Sequence, residues 1–217
     1  KSIDEVSTAS LGFHGGGYAR DWNNPEWEKG PSDFDQKFRF VNSFSYTLPI
    51  GKGKKFLNQM NGFGNAIIGG WELQGIQSYT SGVPLTIQAA NGESNTNGDS
   101  EERPNRLVGV PLYPSNQNAS LWFNPNAFVA TAFGTLGNSG RNIIYTQPQV
   151  GIDASLFKDF AFTEWAKLQF RSEFFNLINH PNFRANSLNN SFDSPGAGAY
   201  NAANPARQIQ FALKMIF

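Results

Sequence analysis

The sequence contains no cysteine among its 217 residues. That absence excludes disulfides, thiolate nucleophiles and cysteine-ligated zinc or iron–sulfur sites. Net charge is also absent, because 17 basic residues balance 17 acidic ones, so no global field attracts nucleic acid and we expect none as a partner. Mean hydropathy is −0.41, and no apolar run approaches the roughly 18–20 residues of a transmembrane helix. Transmembrane β-strands stay possible, because they are only half apolar.

Aromatic residues, glycine and proline are abundant, with 20 Phe, 22 Gly and 12 Pro. This composition favours short aromatic-rich strands separated by turns and loops, and it predicts an all-β fold. The chain begins with the polar segment 1–5 and shows no secretory signal behind it. We therefore expect either a mature chain or a piece of a longer protein.

The end of the chain carries a clear strand pattern. Its alternate residues are apolar, namely Ile209, Phe211, Leu213, Met215 and Phe217. A period of two predicts a strand with one apolar face, and about 9–11 residues suffice for a tilted strand to cross a bilayer. The segment resembles the C-terminal strand of bacterial outer-membrane β-barrels, in which such an ending is the signal read by the barrel-assembly machinery. A closing strand of a soluble β-sandwich would show the same alternation.

Four further segments alternate in the same way, and they predict strands at 37–48, 66–80, 148–158 and 165–178. With Phe217 at the periplasmic end, the short connections 49–65 and 159–164 are periplasmic. The longer segments 1–36, 81–147 and 179–206 are then external, as is usual for outer-membrane barrels. Five antiparallel strands cannot close a barrel, because closure needs about eight and plugged transporters have about 22. We expect a fragment whose partner strands lie upstream.

An ordered series of motifs is similar to the C-terminal barrel segment of TonB-dependent receptors of the Oar-like type, which carry a carboxypeptidase-regulatory-like domain. In chain order the motifs are Arg39–Val41, Leu48–Phe56, Gly69–Ile76, Ser81–Pro84, Arg103–Asn105, Trp122–Phe128, Leu136–Asn142, Phe170–Phe183 and Pro205–Lys214. The resemblance covers about residues 36–217, and it leaves residues 1–35 as an external loop segment. Within 36–217, residues 81–147 and 179–206 are long external loops.

The resemblance implies a transporter or receptor in the bacterial outer membrane that takes energy from the TonB complex. Its ligand would be an oligosaccharide, a peptide or a siderophore, and import, export and signalling all stay open. The implied partners are upstream barrel strands, a plug domain, the TonB complex, the barrel-assembly machinery and outer-membrane lipid. The sequence contains neither a plug domain nor a TonB box, so these residues cannot carry gating or energy coupling.

Charged residues on the polar strand faces are expected to point into the lumen and to form cross-strand pairs. They are Asp153, Lys167, Arg171, Glu173 and Lys214. Aromatic residues in the loops are candidates for a ligand surface, because aromatic faces bind sugars and peptides alike. These candidates are Trp22, Trp27, Trp122 and Phe123. Packing within the loops is the alternative role for each of them.

Residues 93–101 have oxygen ligands at offsets that resemble a calcium loop, but Pro104 stands where the bidentate Glu belongs. We therefore expect a solvated acidic loop and no metal or cofactor, with calcium at 93–101 as the alternative. Only His14 and His180 are available for a catalytic triad, and we expect no enzyme. A soluble β-sandwich binding module and a secreted hydrolase are the alternatives, and the hydrolase lacks a convergent acid–base cluster.

Overall fold

A computed structural model describes residues 2–4, 23–90 and 102–217. Eleven β-strands lie in these residues, together with one α-helix and three 3₁₀ turns at Pro25–Glu28, Pro125–Ala127 and Ala185–Ser187. In chain order the elements are β1 Ile3–Asp4, β2 Gly30–Pro31, β3 Arg39–Thr47, α1 Gly62–Ile68, β4 Trp71–Thr80, β5 Pro84–Leu85, β6 Asn105–Arg106, β7 Phe128–Val129, β8 Ile144–Tyr145, β9 Gln149–Ala161, β10 Lys167–Phe175 and β11 Gln208–Ile216. None of the helices within these ranges has the length and apolarity needed to span a bilayer.

Five long strands form one sheet in the order β11-β10-β9-β4-β3. They occur where the alternating pattern predicts them, and β10 pairs antiparallel with both β9 and β11. The prediction of an all-β antiparallel fold is therefore confirmed. Three small sheets of two strands each, β1-β2, β5-β8 and β6-β7, complete the strand pairing of the described residues.

The start of the second long strand differs from its prediction. Residues 66–70 were expected to extend this strand, but Gly62–Ile68 form helix α1 and β4 begins at Trp71. Asn61 caps the helix by accepting a hydrogen bond from the Gly64 N–H at 2.7 Å. The helix ends at Gly69, and Gly70 takes a positive φ of 73°, which glycine adopts without steric cost. The capping residue and the tertiary contacts at its end outweigh the glycines that weaken the helix.

The third long strand is longer than predicted. Residues 159–164 were expected to form a turn, but β9 continues to Ala161 and the turn falls at 162–166. This extension pairs Ala161 with Lys167 and Asp159 with Gln169. The ladder to β10 stabilises a segment whose own sequence does not alternate clearly.

The described residues form two compact units. The strand unit contains residues 40–79, 150–181 and 205–217, which hold almost all of the long sheet. The loop unit contains the described residues within 2–39, 80–149 and 182–204. Its hydrophobic core consists of Leu85, Ile87, Phe123, Ala127, Phe128, Ile144 and Leu188. Residues 102–147, for which we predicted a long loop without periodicity, therefore contribute to a packed core.

Candidate functional site

One face of the long sheet is polar, and its geometry follows from the strand register. Lys167, Gln169, Arg171 and Glu173 of β10 lie opposite Ala161, Asp159, Phe157 and Ser155 of β9 and opposite Ile216, Lys214, Ala212 and Gln210 of β11. Because side chains alternate along a strand, the five charges predicted to share a face do so. They are Asp153, Lys167, Arg171, Glu173 and Lys214. That this face lines a lumen stays a prediction.

The ion pairs on this face differ in their partners from a simple cross-strand pattern. Lys167 Nζ lies 2.6 Å from Asp159 Oδ2, and Gln169 Nε2 donates to Asp159 Oδ1 at 2.8 Å. Arg171 pairs with Glu173 of its own strand at 2.7 Å. Asp153 instead accepts the backbone N–H of Asn176 at 2.8 Å. The ion pair that crosses between β9 and β10 therefore joins Lys167 to Asp159, which was not among the predicted charges.

Asp159 and Glu72 are members of the polar face that sequence reasoning missed. Glu72 of β4 accepts hydrogen bonds from Ser45 Oγ at 2.6 Å and from Gln74 Nε2 at 2.8 Å. Asp159 lies on the same face as Asp153 and Ser155, but Phe157 interrupts the polar alternation between them, so the sequence predicts a turn at 159. An open groove is lined by Glu72, Gln74, Phe157, Asp159, Gln169 and Arg171 of this face, together with Gly70 and Lys158.

The other face of the sheet is apolar, and its side chains on β11 are exposed. Ile209, Phe211, Leu213 and Met215 share this face of β11, and Phe211 and Leu213 each expose 68% of their surface. Phe170 stacks on Phe211 with ring centroids 6.3 Å apart, and Trp165 stacks on the terminal Phe217 at 6.5 Å. Side chains of this size exposed in a row along a strand require an apolar environment.

Lys158 is the exception on the apolar face, since it lies directly opposite Phe170 in the ladder. Its side chain is buried, and its ammonium group donates to the carbonyl of Gly69. The ammonium nitrogen lies 5.6 Å from the centroid of the Trp71 ring and 5.2 Å from that of the Phe160 ring. A carbonyl and two aromatic faces thus satisfy this charge, which explains how a lysine occupies an otherwise apolar surface.

The aromatic candidates in the loops have different environments. Phe123 is fully buried in the loop-unit core and packs edge to face on Phe128, so its ring is not available to a ligand. Trp122 donates its indole N–H to the Tyr145 carbonyl at 2.7 Å and packs on Tyr200. Trp122 and Phe123 therefore pack within the loop unit, which is the alternative to a ligand-binding role. Trp27 is exposed, and Trp22 lies outside the described residues.

A polar network joins distant segments of the loop unit. Arg141 forms ion pairs with Asp4 and Asp33 and donates to the Glu28 carbonyl at 2.9 Å. The side chains of Arg103 and Glu28 form a buried ion pair. These bonds span more than 70 residues of sequence, so they fix the segment 28–35 against the segment 103–142.

Asp35 and Tyr145 form the titratable part of this network. The Tyr145 hydroxyl donates to Asp35 Oδ2 at 3.0 Å, and the Ser2 N–H donates to Asp35 Oδ1 at 2.6 Å. The Ser2 N–H, followed by the Tyr145 hydroxyl, lowers the pKa of Asp35. Burial, followed by the bond to Asp35, raises the pKa of Tyr145 to about 12. Both groups therefore keep their usual charge states near neutral pH, and the network is structural.

Metal ligands do not cluster within the described ranges, where no group of three or more His, Asp or Glu side chains could hold an ion. The calcium segment 93–101 and His14 lie outside those ranges. His180 contributes backbone atoms to a turn: its N–H donates to Asn176 Oδ1 at 2.9 Å, and its carbonyl accepts from Asn176 Nδ2 at 3.0 Å.

The chain was compared with protein families, curated proteins and solved structures. A family model described as "Outer membrane beta barrel domain" matches residues 1–210 of the chain. Neither a curated protein nor a solved structure matches it. The matched range contains the loop unit and four of the five long strands, and it ends at residue 210, within β11.

Proposed function

Since the chain belongs to the outer membrane beta barrel domain family, we propose that its five long strands are part of the wall of a TonB-dependent transporter or receptor. The family places the chain in the bacterial outer membrane. The TonB-dependent type is supported by the ordered motif series from Arg39–Val41 to Pro205–Lys214. In this assignment the chain binds and conducts a ligand and carries no catalytic residue.

The observation that carries the proposal is the two-faced sheet. Its apolar face exposes large side chains, while its other face holds Asp159, Arg171 and Glu173 in hydrogen-bonded pairs. A barrel wall requires this division, with an apolar outside and a polar interior. A soluble β-sandwich would cover the apolar face with a second sheet, and the remaining sheets within the described ranges have only two strands each.

The edges of the sheet support a larger barrel. Strands β3 and β11 each have one neighbour in the strand order of the described residues. Unpaired backbone groups in lipid cost several kcal/mol each, so we propose that further strands of the same protein pair with both edges. A barrel of about 22 strands with a plug domain would fit a transporter of this type.

The connections of the sheet support an orientation. The connections 48–70 and 162–166 lie at one end of the strands. The long segments 81–148 and 176–207 lie at the opposite end. Outer-membrane barrels have short periplasmic turns and longer external loops. We therefore assign Phe217 to the periplasmic end, where the barrel-assembly machinery would bind β11, and the loop unit to the outside. Trp27 is the exposed aromatic candidate for a ligand there.

The test is a two-stage experiment on the full-length protein, with the upstream strands and plug domain proposed above, produced in a Gram-negative host. Fractionation and heat-modifiable gel migration report a folded barrel in the outer membrane. Formaldehyde cross-linking followed by detection of TonB reports energy coupling, with the same barrel lacking its N-terminal region as the matched control. We expect a TonB adduct that the control lacks. A heat-modifiable outer-membrane barrel without any TonB adduct would overturn the transporter assignment and leave the family assignment intact.

A further inference from the structure

The connection between β3 and β4, residues 48–70, combines two kinds of exposed side chain. It contains Lys52, Lys54 and Lys55 and no acidic residue. Its exposed large apolar residues are Phe56, Leu57, Phe63, Ile67 and Ile68, and Phe63 exposes 79% of its surface. A basic segment beside exposed apolar side chains is typical of elements that lie in a membrane interface.

Hydrogen bonds hold the basic turn and helix α1 together as one element, here called the interface segment (residues 48–70). The Lys52 N–H donates to the side-chain carbonyl of Asn65 at 2.7 Å. The Gly51 N–H donates to the Phe56 carbonyl, and the Phe56 N–H donates to the Pro49 carbonyl, both at 2.9 Å. The lysines and the apolar side chains of α1 are therefore presented by one ordered structure.

The interface segment is attached to the apolar face of the sheet. The Trp71 indole N–H donates to the Ile67 carbonyl at 3.0 Å, and Lys158 donates to the Gly69 carbonyl. Trp71 also packs edge to face on Phe170, with ring centroids 6.0 Å apart. Because Trp71, Lys158 and Phe170 belong to the face that contacts lipid, the C-terminal end of α1 meets the bilayer at its edge.

We propose that the interface segment lies on the inner leaflet of the outer membrane. Its apolar side chains enter the acyl boundary, and Lys52, Lys54 and Lys55 bind the phosphates of anionic phospholipids. Charge complementarity selects this occupant, since the segment is purely basic, and its continuity with the lipid-facing Trp71 places it at the membrane. The inference rests on the orientation in the proposed function, with the connection 48–70 at the periplasmic end.

The test measures the depth of one side chain in the bilayer. Phe63→Cys and, as the matched control, Phe133→Cys are labelled with an environment-sensitive fluorophore. The two phenylalanines are exposed to 79% and 78%, and Phe133 belongs to the loop unit. The protein is reconstituted in vesicles that contain doxyl-labelled lipid, with either phosphatidylcholine alone or phosphatidylcholine with phosphatidylglycerol. We expect the label at position 63 to be quenched and the label at position 133 to stay unquenched.

The lysines are tested in the Phe63→Cys background. Each lysine near an anionic surface contributes about 1 kcal/mol, which is about fivefold in affinity. K52Q/K54Q/K55Q should therefore lower the equilibrium constant for association of the segment with the membrane by up to roughly 150-fold. The charge-conserving variant K52R/K54R/K55R should retain the quenching, because it keeps the attraction to phosphate. Quenching should also weaken as salt screens the surface.

Several outcomes would overturn the proposal. A label at position 63 that stays as unquenched as the label at position 133 would place the interface segment away from the bilayer. Quenching that is the same without phosphatidylglycerol would remove the headgroup role of the lysines. Enhancement by lipopolysaccharide alone would assign the segment to the outer leaflet. A change in the fluorescence of the label at position 63 that occurs only when a periplasmic protein is added, and not with lipid, would make that protein the occupant. Because quenching does not involve TonB, a missing TonB adduct with intact quenching would contradict the transporter assignment alone.

Discussion

The strand unit and the loop unit place their apolar side chains in opposite ways. In the strand unit the large apolar residues of β3 and β11 are exposed, whereas the buried positions include Lys158 and Ser172. In the loop unit Ile87, Phe123 and Ile144 are completely buried. Both units belong to one chain. The difference in burial corresponds to two environments, water around the loop unit and lipid against the apolar face of the strand unit.

The loop unit follows the rules of a water-soluble protein, with a hydrophobic core and hydrogen-bonded charges. The strand unit follows the rules of a barrel wall, in which lipid takes the place of a core on the apolar side. Exposed apolar surface is therefore unfavourable in the loop unit, which water surrounds. It is not unfavourable on β11, where lipid covers it. Two kinds of substitution test this comparison directly. One removes a buried apolar side chain from the loop unit, and the other adds a charge to the apolar face of the strand unit.

The largest effect is expected from Phe123→Ala in the loop-unit core. Removal of a buried Phe side chain leaves a cavity and costs about 3–5 kcal/mol. Since about 1.4 kcal/mol corresponds to a factor of ten, local opening should become more frequent by roughly two to four orders of magnitude. Hydrogen exchange of the amides in 102–148, read by mass spectrometry, measures this change. Phe133→Ala, at an exposed position of the same unit, should alter exchange little, and equal effects of both variants would contradict the core assignment.

The next effect is expected from Leu213→Arg on the apolar face of β11. If this residue meets the bilayer midplane, the variant should destabilise the folded barrel by about 2–4 kcal/mol. Urea unfolding in lipid vesicles measures the difference. Gln210→Arg is the matched control on the polar face of the same strand, where Gln210 lies opposite Glu173, and it should be tolerated. Phe170→Arg should behave like Leu213→Arg, and tolerance of Arg at both positions would contradict the membrane assignment.

The smallest effect concerns pH and the loop unit. The pKa of Tyr145 is raised from 10.0 to about 12 in the folded protein, so the unfolded state loses this proton first as pH rises. The free energy of unfolding should therefore be independent of Tyr145 below about pH 10 and should fall between about pH 10 and 12. Tyr145→Phe should reduce this slope, as measured by urea midpoints from pH 9 to 11.5. An unchanged slope would show that Tyr145 does not contribute.

The same sign argument applies to the partner of Tyr145. Because the pKa of Asp35 is lowered from 3.8, its contribution to stability is present at neutral pH and is lost as pH falls below about 4. The hydrogen bond between Tyr145 and Asp35 thus contributes to the loss of stability of the loop unit at both low and high pH.

The five strands and the division of their faces could be predicted from the sequence, because a period of two is a local property of each segment. Phe211, Leu213, Lys167 and Arg171 lie on the faces that alternation assigns to them. The aromatic candidates were harder to assign. A buried Phe123 and an exposed Phe133 look alike in sequence, since burial depends on residues far away in the chain.

The sequence by itself determined the strands and their polar and apolar faces, but the alternation in β11 fits a barrel strand and a closing strand of a soluble sandwich alike. Tertiary structure decided the rest. Helix α1 replaces a predicted strand start because Asn61 caps it and Trp71 holds its end. Lys158 occupies an apolar face because Gly69 presents a carbonyl to it. The loop unit is ordered because Arg141 reaches Asp4 across 137 residues. The contacts of Lys158 and Arg141 join segments that are 89 and 137 residues apart, and no local period records them. The two bonds of α1 are local, but a search for a period of two does not detect them.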